Sequence, residues 1–156
     1  MADTSLLERK IGLLVWKLAT FWQNKLRQIL INHKLSLNEY LILETLTNLN
    51  LNKVSTSQIH ISSFSEIDVS VVSISLKSLE QKKLIKKKVD NDNRKKIIEM
   101  LPRGRTLYEE LSPQISLAEN NIFDKLKDEK LNFTNSLRFL LNKKIRIKLN
   151  KKNDLN

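Results

Sequence analysis

The side chains of this chain that could do chemistry are cations rather than nucleophiles. Lys and Arg number 28 against 17 Asp and Glu, a net charge of +11 over 156 residues, and a surplus of that size favours polyanionic partners. Placement narrows this further. Between Lys77 and Arg105 stand eleven basic residues and four acidic ones, Glu80, Asp90, Asp92 and Glu99, a local net of +7. A second basic run, Arg138 to Lys152, reads equally well as a solvated face or as a further polyanion contact. The side chains of bond-making catalysis are missing by contrast. There is no cysteine, hence no disulfide framework and no thiol chemistry. There is no Gly-rich phosphate loop and no G-x-S-x-G elbow. His33 and His60 lack carboxylates at ligand spacing, so no metal and no cofactor are expected. An enzyme is not expected.

The elements that must position these cations begin in the middle of the chain. Residues 55–105 read as two short helices, a two-stranded hairpin and the start of another helix. The second short helix begins behind Asp68, a side chain suited to capping the first-turn amides, and buries Val72, Leu76 and Leu79 at a spacing near 3.6. Val69 to Leu76 also alternates apolar and polar as a strand would; the cap and the continuation to Leu79 favour helix. Val69, Ser70, Ser73, Ile74 and Lys77 then project outward. Methyls beside hydroxyls suit thymine methyl groups and phosphates, but cannot make the bidentate guanine contact of arginine; the alternative use of Val69 and Ile74 is to meet a protein partner. Leu84 to Val89 and Lys95 to Met100 are runs able to lie extended, and Asn91-Asp92-Asn93 between them is a chain-reversing composition. Helix, helix, hairpin is a winged helix-turn-helix.

Four pieces in order carry a resemblance: the helix-turn-helix, its close at Leu79-Glu80-Gln81-Lys82-Lys83-Leu84-Ile85, then Asp92-Asn93-Arg94, then Met100-Leu101-Pro102-Arg103-Gly104-Arg105. With the spacing from Asp92 to Arg105, this segment resembles the MarR-type winged-helix transcription regulators, whose pattern is L-E-x-x-G-L-I, D-x-R and L-T-x-x-G-R. The resemblance implies a homodimeric, sequence-specific regulator, most often a repressor, bound to a palindromic double-stranded operator. It implies residues 68–81 in the major groove and Arg94 in the minor groove, oriented by Asp92 and flanked by Lys95. It also implies release by a small aromatic acid in many members; here Trp16, Trp22 and Tyr40 are the aromatics to set against such a ligand, although aromatics at helical spacing equally fill a core or a dimer interface. Three departures stand out. Lys83 replaces the usual glycine, so a lysine must accept a left-handed turn. Leu101 replaces the capping threonine, while Pro102 still suits the first helical position. Val69 and Ile74 occupy positions commonly basic in relatives.

On either side the chain reads as helix. Leu6 to Ile31 carries a wide apolar stripe, wider than one neighbour needs, which suggests cover from its own chain and from a second subunit. Ser36-Leu37-Asn38-Glu39 is a capping-box pattern opening a helix that stops between Asn48 and Asn52. A short helix from about Thr56 to Ser63 is expected to bury Ile59 and Phe64, with Ser65-Glu66 as the turn. Arg103 to Leu126 should be helical with a kink or restart near Ser112, before Pro113. Asp128 to Lys148 reads as a last helix through Leu131, Phe133, Leu137, Leu140, Leu141 and Ile145, and 150–156 as a frayed end. The expected fold class is therefore mainly α with a small β-hairpin wing: a winged helix-turn-helix lobe over 35–105, with helical dimerisation regions at 1–34 and 106–156. The longest apolar stretch, Ile11 to Trp22, is interrupted by Lys17 and too short for a membrane span, so no membrane contact and a cytoplasmic protein are expected. The competing reading is a protein-interaction module that uses the winged helix on a protein partner, with RNA a more distant possibility.

Overall fold

The computed structural model describes residues 5–51, 56–89 and 96–147. Two compact units divide the chain at Glu119. In the first, α1 (Leu6–Arg9), α2 (Ile11–Leu30) and a 3-10 turn (Ile31–His33) lead to α3 (Leu37–Leu51), α4 (Gln58–Ser65) and α5 (Val69–Gln81). Antiparallel strands β1 (Ile85–Val89) and β2 (Lys96–Met100) follow, in register from Ile85 opposite Met100 to Val89 opposite Lys96. Then α6 (Pro102–Phe123) carries the chain into the second unit, which holds a 3-10 segment (Asp124–Glu129) and α7 (Lys130–Leu140).

The core of the first unit explains why α3 shows almost no amphipathic stripe: it is the central helix. Leu37, Tyr40, Ile42, Leu43, Leu46 and Leu49 of α3 are all buried, pointing to several neighbours at once. Around it lie Leu26 and Leu30 of α2, Ile61 of α4, Val72, Leu76 and Leu79 of α5, Ile85 and Ile98 of the hairpin, and Leu111 and Ile115 of α6. Within one chain, α2 and α6 share this core with the helix-turn-helix. Thr56 adds a strand-like contact the sequence did not announce. Its hydroxyl donates to the Ile98 carbonyl, and the Ile98 amide donates back to the Thr56 carbonyl at 2.9 Å, fixing β2 at its base.

Several expectations are corrected. The first helix is interrupted: Lys10 is extended at φ −122°, ψ 108°, between a four-residue turn closed by the Ser5 and Glu8 capping box and the start of α2. Gly12, a poor helix former, sits just beyond the break. The short helix is α4, Gln58–Ser65, two residues later than expected, and it buries Ile61; Ile59 and Phe64 are exposed, at 73% and 53%. Once Ser57 caps the helix through the His60 amide, the helical period turns Ile61 inward and Ile59 out. α6 runs unbroken through Pro113. That proline is exposed, so water can serve the carbonyl whose partner amide is missing. The final helix begins at Lys130 and ends at Leu140, not Lys148: Asn142 turns left-handed at φ 55° and the Lys143 amide closes on the Arg138 carbonyl. Asparagine tolerates that conformation, and Ile145 lies beyond the helix. The turn at Asn91-Asp92-Asn93 and the end at 150–156 lie outside the described residues.

Where α5 meets β1, Lys83 does take the left-handed conformation, φ 59°. The Lys83 amide bonds the Glu80 carbonyl at 2.9 Å and the Leu84 amide bonds that of Leu79 at 3.0 Å, a Schellman closure made without glycine. The Leu84 carbonyl then accepts from the Leu101 amide at 2.9 Å. It also lies 2.2 Å from where a Cβ on Gly104 would stand. Gly104 is thus a close-approach glycine whose backbone neighbour cannot step aside. Gly104→Ala should destabilise the chain by about 3 kcal/mol, near the upper end of ordinary overpacking. Urea denaturation is the measurement; a loss below about 0.5 kcal/mol would show that α6 can slide on β1.

Candidate nucleic-acid interface

The outward face of α5 begins at its cap. Asp68 accepts from the Ser70 amide at 2.8 Å and from the Ser70 hydroxyl, and these bonds hold its carboxyl below the ordinary carboxylate value. The first turn is therefore held rigidly and carries a negative charge. Behind the cap, Val72, Ser75, Leu76 and Leu79 face the core, which leaves Val69, Ser70, Ser73, Ile74 and Lys77 exposed in one row. Val69 and Ile74 are 50% and 71% exposed. Ile59 and Phe64 of α4 are exposed as well, so both helices of the helix-turn-helix present apolar side chains to solvent. Glu66, left-handed at φ 58°, makes the turn between them.

The hairpin is less free in its charge than its composition implies. Lys86 lies directly across from Glu99 in the ladder, with Nζ 3.3 Å from the carboxylate, and Lys88 reaches the same carboxylate. Lys88 first, then Lys86, hold the Glu99 carboxyl below its usual value. Lys87 lies 3.7 Å from Glu80. The local surplus of +7 thus overstates the free charge of β1, because an antiparallel register places Lys86 and Glu99 together across a separation in sequence. Lys77 and Lys96 have no acidic partner among the described residues. Asp92, Arg94 and Lys95 lie outside the described residues.

Sequence reasoning missed the buried charge of the lobe. Glu39 is only 4% exposed. Its carboxylate accepts from the Ser36 amide at 2.7 Å, completing the expected capping box, and from Lys82 Nζ at 2.8 and 2.9 Å. Lys82 Nζ also donates to the Lys34 carbonyl at 2.6 Å. Burial pushes the Glu39 carboxyl up, but Lys82, the Ser36 amide and Ser78 outweigh it and hold the carboxyl below the ordinary 4.5. The only advance signal was that Glu39 closes a capping box; nothing local pairs it with a residue 43 positions away. Beside this pair opens a cleft of about 880 Å³, lined in part by His33, Lys34, Lys82, Lys83, Arg103 and Glu110.

The aromatics set against a ligand differ in their surroundings. Trp16 is 61% exposed with Lys17 over its ring. Trp22 is half-buried and donates from Nε1 to Glu119 at 3.2 Å. Tyr40 is core, stacked on Tyr108 with centroids 5.9 Å apart. Burial, then Glu44, pushes its hydroxyl well above the ordinary range, and burial, then Glu119, pushes the Glu44 carboxyl up. Among the described residues no group of His, Asp or Glu is placed to hold a metal ion, and no single helix is long and apolar enough to cross a membrane.

No family model matches the chain, and no curated protein does. Solved structures do. The chain is similar to a MarR-family transcriptional regulator from Rhodococcus sp., with 19% identity over 88% of this chain and 96% of that one, at a TM-score of 0.70. The fold is that of the MarR-type winged-helix regulators. BpsR of Bordetella bronchiseptica, whose DNA binding is regulated by 6-hydroxynicotinic acid, aligns at 21% identity over 92% of this chain and all of its own, TM-score 0.78. MepR of S. aureus, solved with DNA, aligns at 22% identity over 86% and 96%, TM-score 0.77. In that fold α4 and α5 are the two helices of the helix-turn-helix and β1–β2 the wing.

Because the folded-state pKa of Glu39 is depressed, its pairing contributes stability above the unfolded value and loses it as pH falls from about 4.5 through the folded pKa. Glu39→Gln keeps an acceptor for the Ser36 amide but removes the charge. We expect it to lower stability near neutral pH by about 1 to 2 kcal/mol, and to lose less than wild type on acidification. Urea midpoints near neutrality and near pH 3 check this; parallel acid losses in both proteins would exclude Glu39 as the titrating group.

Proposed function

We propose that this chain is a homodimeric, sequence-specific DNA-binding transcription regulator that acts as a repressor. The observation that carries the reading is the outward row of α5: a second helix of a helix-turn-helix, capped by Asp68 through Ser70, whose exposed Val69, Ser73, Ile74 and Lys77 have no partner among the described residues, beside a cationic hairpin. Laid in the major groove, such a row meets thymine methyls with Val69 and Ile74, and phosphates with the serines and Lys77. At the wing tip, Arg94 enters the adjacent minor groove, oriented by Asp92 and flanked by Lys95, where a narrow, A/T-rich groove attracts a guanidinium. Exposed apolar residues on both units support the homodimer: Ile11, Leu14, Val15, Trp16 and Phe21 in the first, Phe139, Leu140 and Leu141 in the second. A small aromatic effector is part of the proposal by likeness to BpsR alone.

Selection of bound fragments from random genomic DNA tests the reading. The expected product is an imperfect, A/T-rich palindrome with half-site centres roughly 10 base pairs apart. Retention of no fragment, or a footprint on one unpaired half-site, would overturn it. The exposed Ile59 and Phe64 favour one second reading, in which the same face binds a protein; a chain that retains no DNA would raise that reading to first.

Two substitutions separate the roles. Arg94→Ala should leave the melting temperature nearly unchanged, since a chain-reversing composition needs no arginine for its geometry, yet lower operator affinity at least about tenfold by removing a contact from each subunit. Lys77→Ala should weaken all sequences alike and flatten the slope of log affinity against log salt by about 0.9 for each phosphate lost. A change in the preferred sequence would instead make Lys77 a base reader.

A further inference from the structure

Lys82 is counted in the most basic stretch of the chain, but its charge is spent inside the molecule. It is the residue at which α5 ends, φ −78° and ψ −2°, and its side chain turns back from the helix end toward α3. The ammonium has three protons and three acceptors within 2.6 to 2.9 Å: both oxygens of Glu39 and the carbonyl of Lys34. A fully donated ammonium has nothing left for a phosphate.

Both anchors are themselves fixed. Glu39 cannot swing away, because the same carboxylate holds the Ser36 amide and the Glu39 amide is held by the Ser36 hydroxyl at 3.2 Å. The Lys34 carbonyl is aimed by a left-handed residue, φ 54°, and the turn behind it is closed by the Leu35 amide on the Leu30 carbonyl at 3.2 Å. One side chain therefore joins the end of α2, the start of α3 and the end of α5. Apolar packing along α5 resists its separation from α3 but is poor at fixing rotation and slide, since dispersion is non-directional; short charge-assisted hydrogen bonds are directional. At 13 residues α5 is about 20 Å long, so a small tilt about its C-terminal end moves Val69 and Ser70 by much more than it moves Lys82.

We propose that Lys82 and Glu39 are positioning residues for DNA binding: they set the tilt and register of the recognition helix from its far end, without touching DNA. This rests on the DNA-binding reading above, and the tests are chosen to fail separately. The probe is a genomic fragment retained by the wild-type full chain. Lys82→Met should lower affinity about tenfold or more with the salt slope unchanged, because no phosphate contact is lost. It should also lower stability, because Glu39 is left buried and unpaired. The double variant Lys82→Met with Glu39→Gln removes both charges and should regain most of the melting temperature while its affinity stays low. Lys82→Arg, which can still donate to Glu39, should regain much of the affinity. Wild-type affinity in the double variant would overturn the proposal and leave the pair merely stabilising. A salt slope reduced by about 0.9 in Lys82→Met would overturn it differently, by showing a phosphate contact. If the wild-type chain retains no DNA, the functional reading fails on its own; the tie is then judged by hydrogen exchange at the Lys83 and Leu84 amides, which should accelerate in the double variant and, if unchanged, would exclude a tie.

Discussion

A carboxylate withdrawn from water as far as Glu39 costs several kcal/mol unless charge and hydrogen bonds replace its hydration. Here the replacement comes from two places at once: the Ser36 amide at the start of its own helix, and Lys82 with Ser78 at the end of α5, the Lys82 ammonium being held in turn by the Lys34 carbonyl. The order of the lobe follows from that requirement. If α3 is to bury its N-terminal carboxylate, α5 must end where Lys82 can reach it. If α5 ends there, the chain must reverse within two residues to begin β1, and Lys83 must adopt a conformation that costs a lysine about 1 kcal/mol. Leu84 then stands where its amide closes α5 and its carbonyl receives α6 through Leu101 and Gly104. Helix, wing and the next helix meet within three residues, Lys82 to Leu84.

What was legible in the sequence was local. The Asp68 cap, the Ser36 and Glu39 box, the inward row of Val72, Leu76 and Leu79, and the left-handed Lys83 each depend on residues within a few positions of one another. The misreadings at Ile59, Phe64 and the final helix have a common cause. Apolar side chains at helical spacing suggest an inward face, whereas the phase of α4 is set by the Ser57 cap and the length of α7 by a left-handed Asn142. Pairings across sequence distance were invisible: Lys82 with Glu39, Thr56 with Ile98, and the wing lysines with Glu99.

That last pairing changes how the basic stretch should be understood. Formal charge suggests a broad positive field over the wing, but the register of β1 and β2 gathers Lys86 and Lys88 around one carboxylate. Exposed pairs of this kind are worth little to stability. Their larger effect is on distribution, since the positive potential shifts from the flank of the hairpin toward Lys77 and Lys96.

The apolar row on α4 and α5 has a thermal consequence. Surface such as Val69, Ile74, Ile59 and Phe64, once dehydrated by any partner, contributes a negative heat-capacity change and a driving force that is mainly entropic near 25 °C. Phosphate contacts weaken as salt rises; methyl contacts hardly respond to it and strengthen on warming through the ordinary range. Were this face to bind DNA as proposed, occupancy would depend on temperature as well as on ionic strength, and the complex would be held by different forces in a cold, dilute medium and in a warm, salty one.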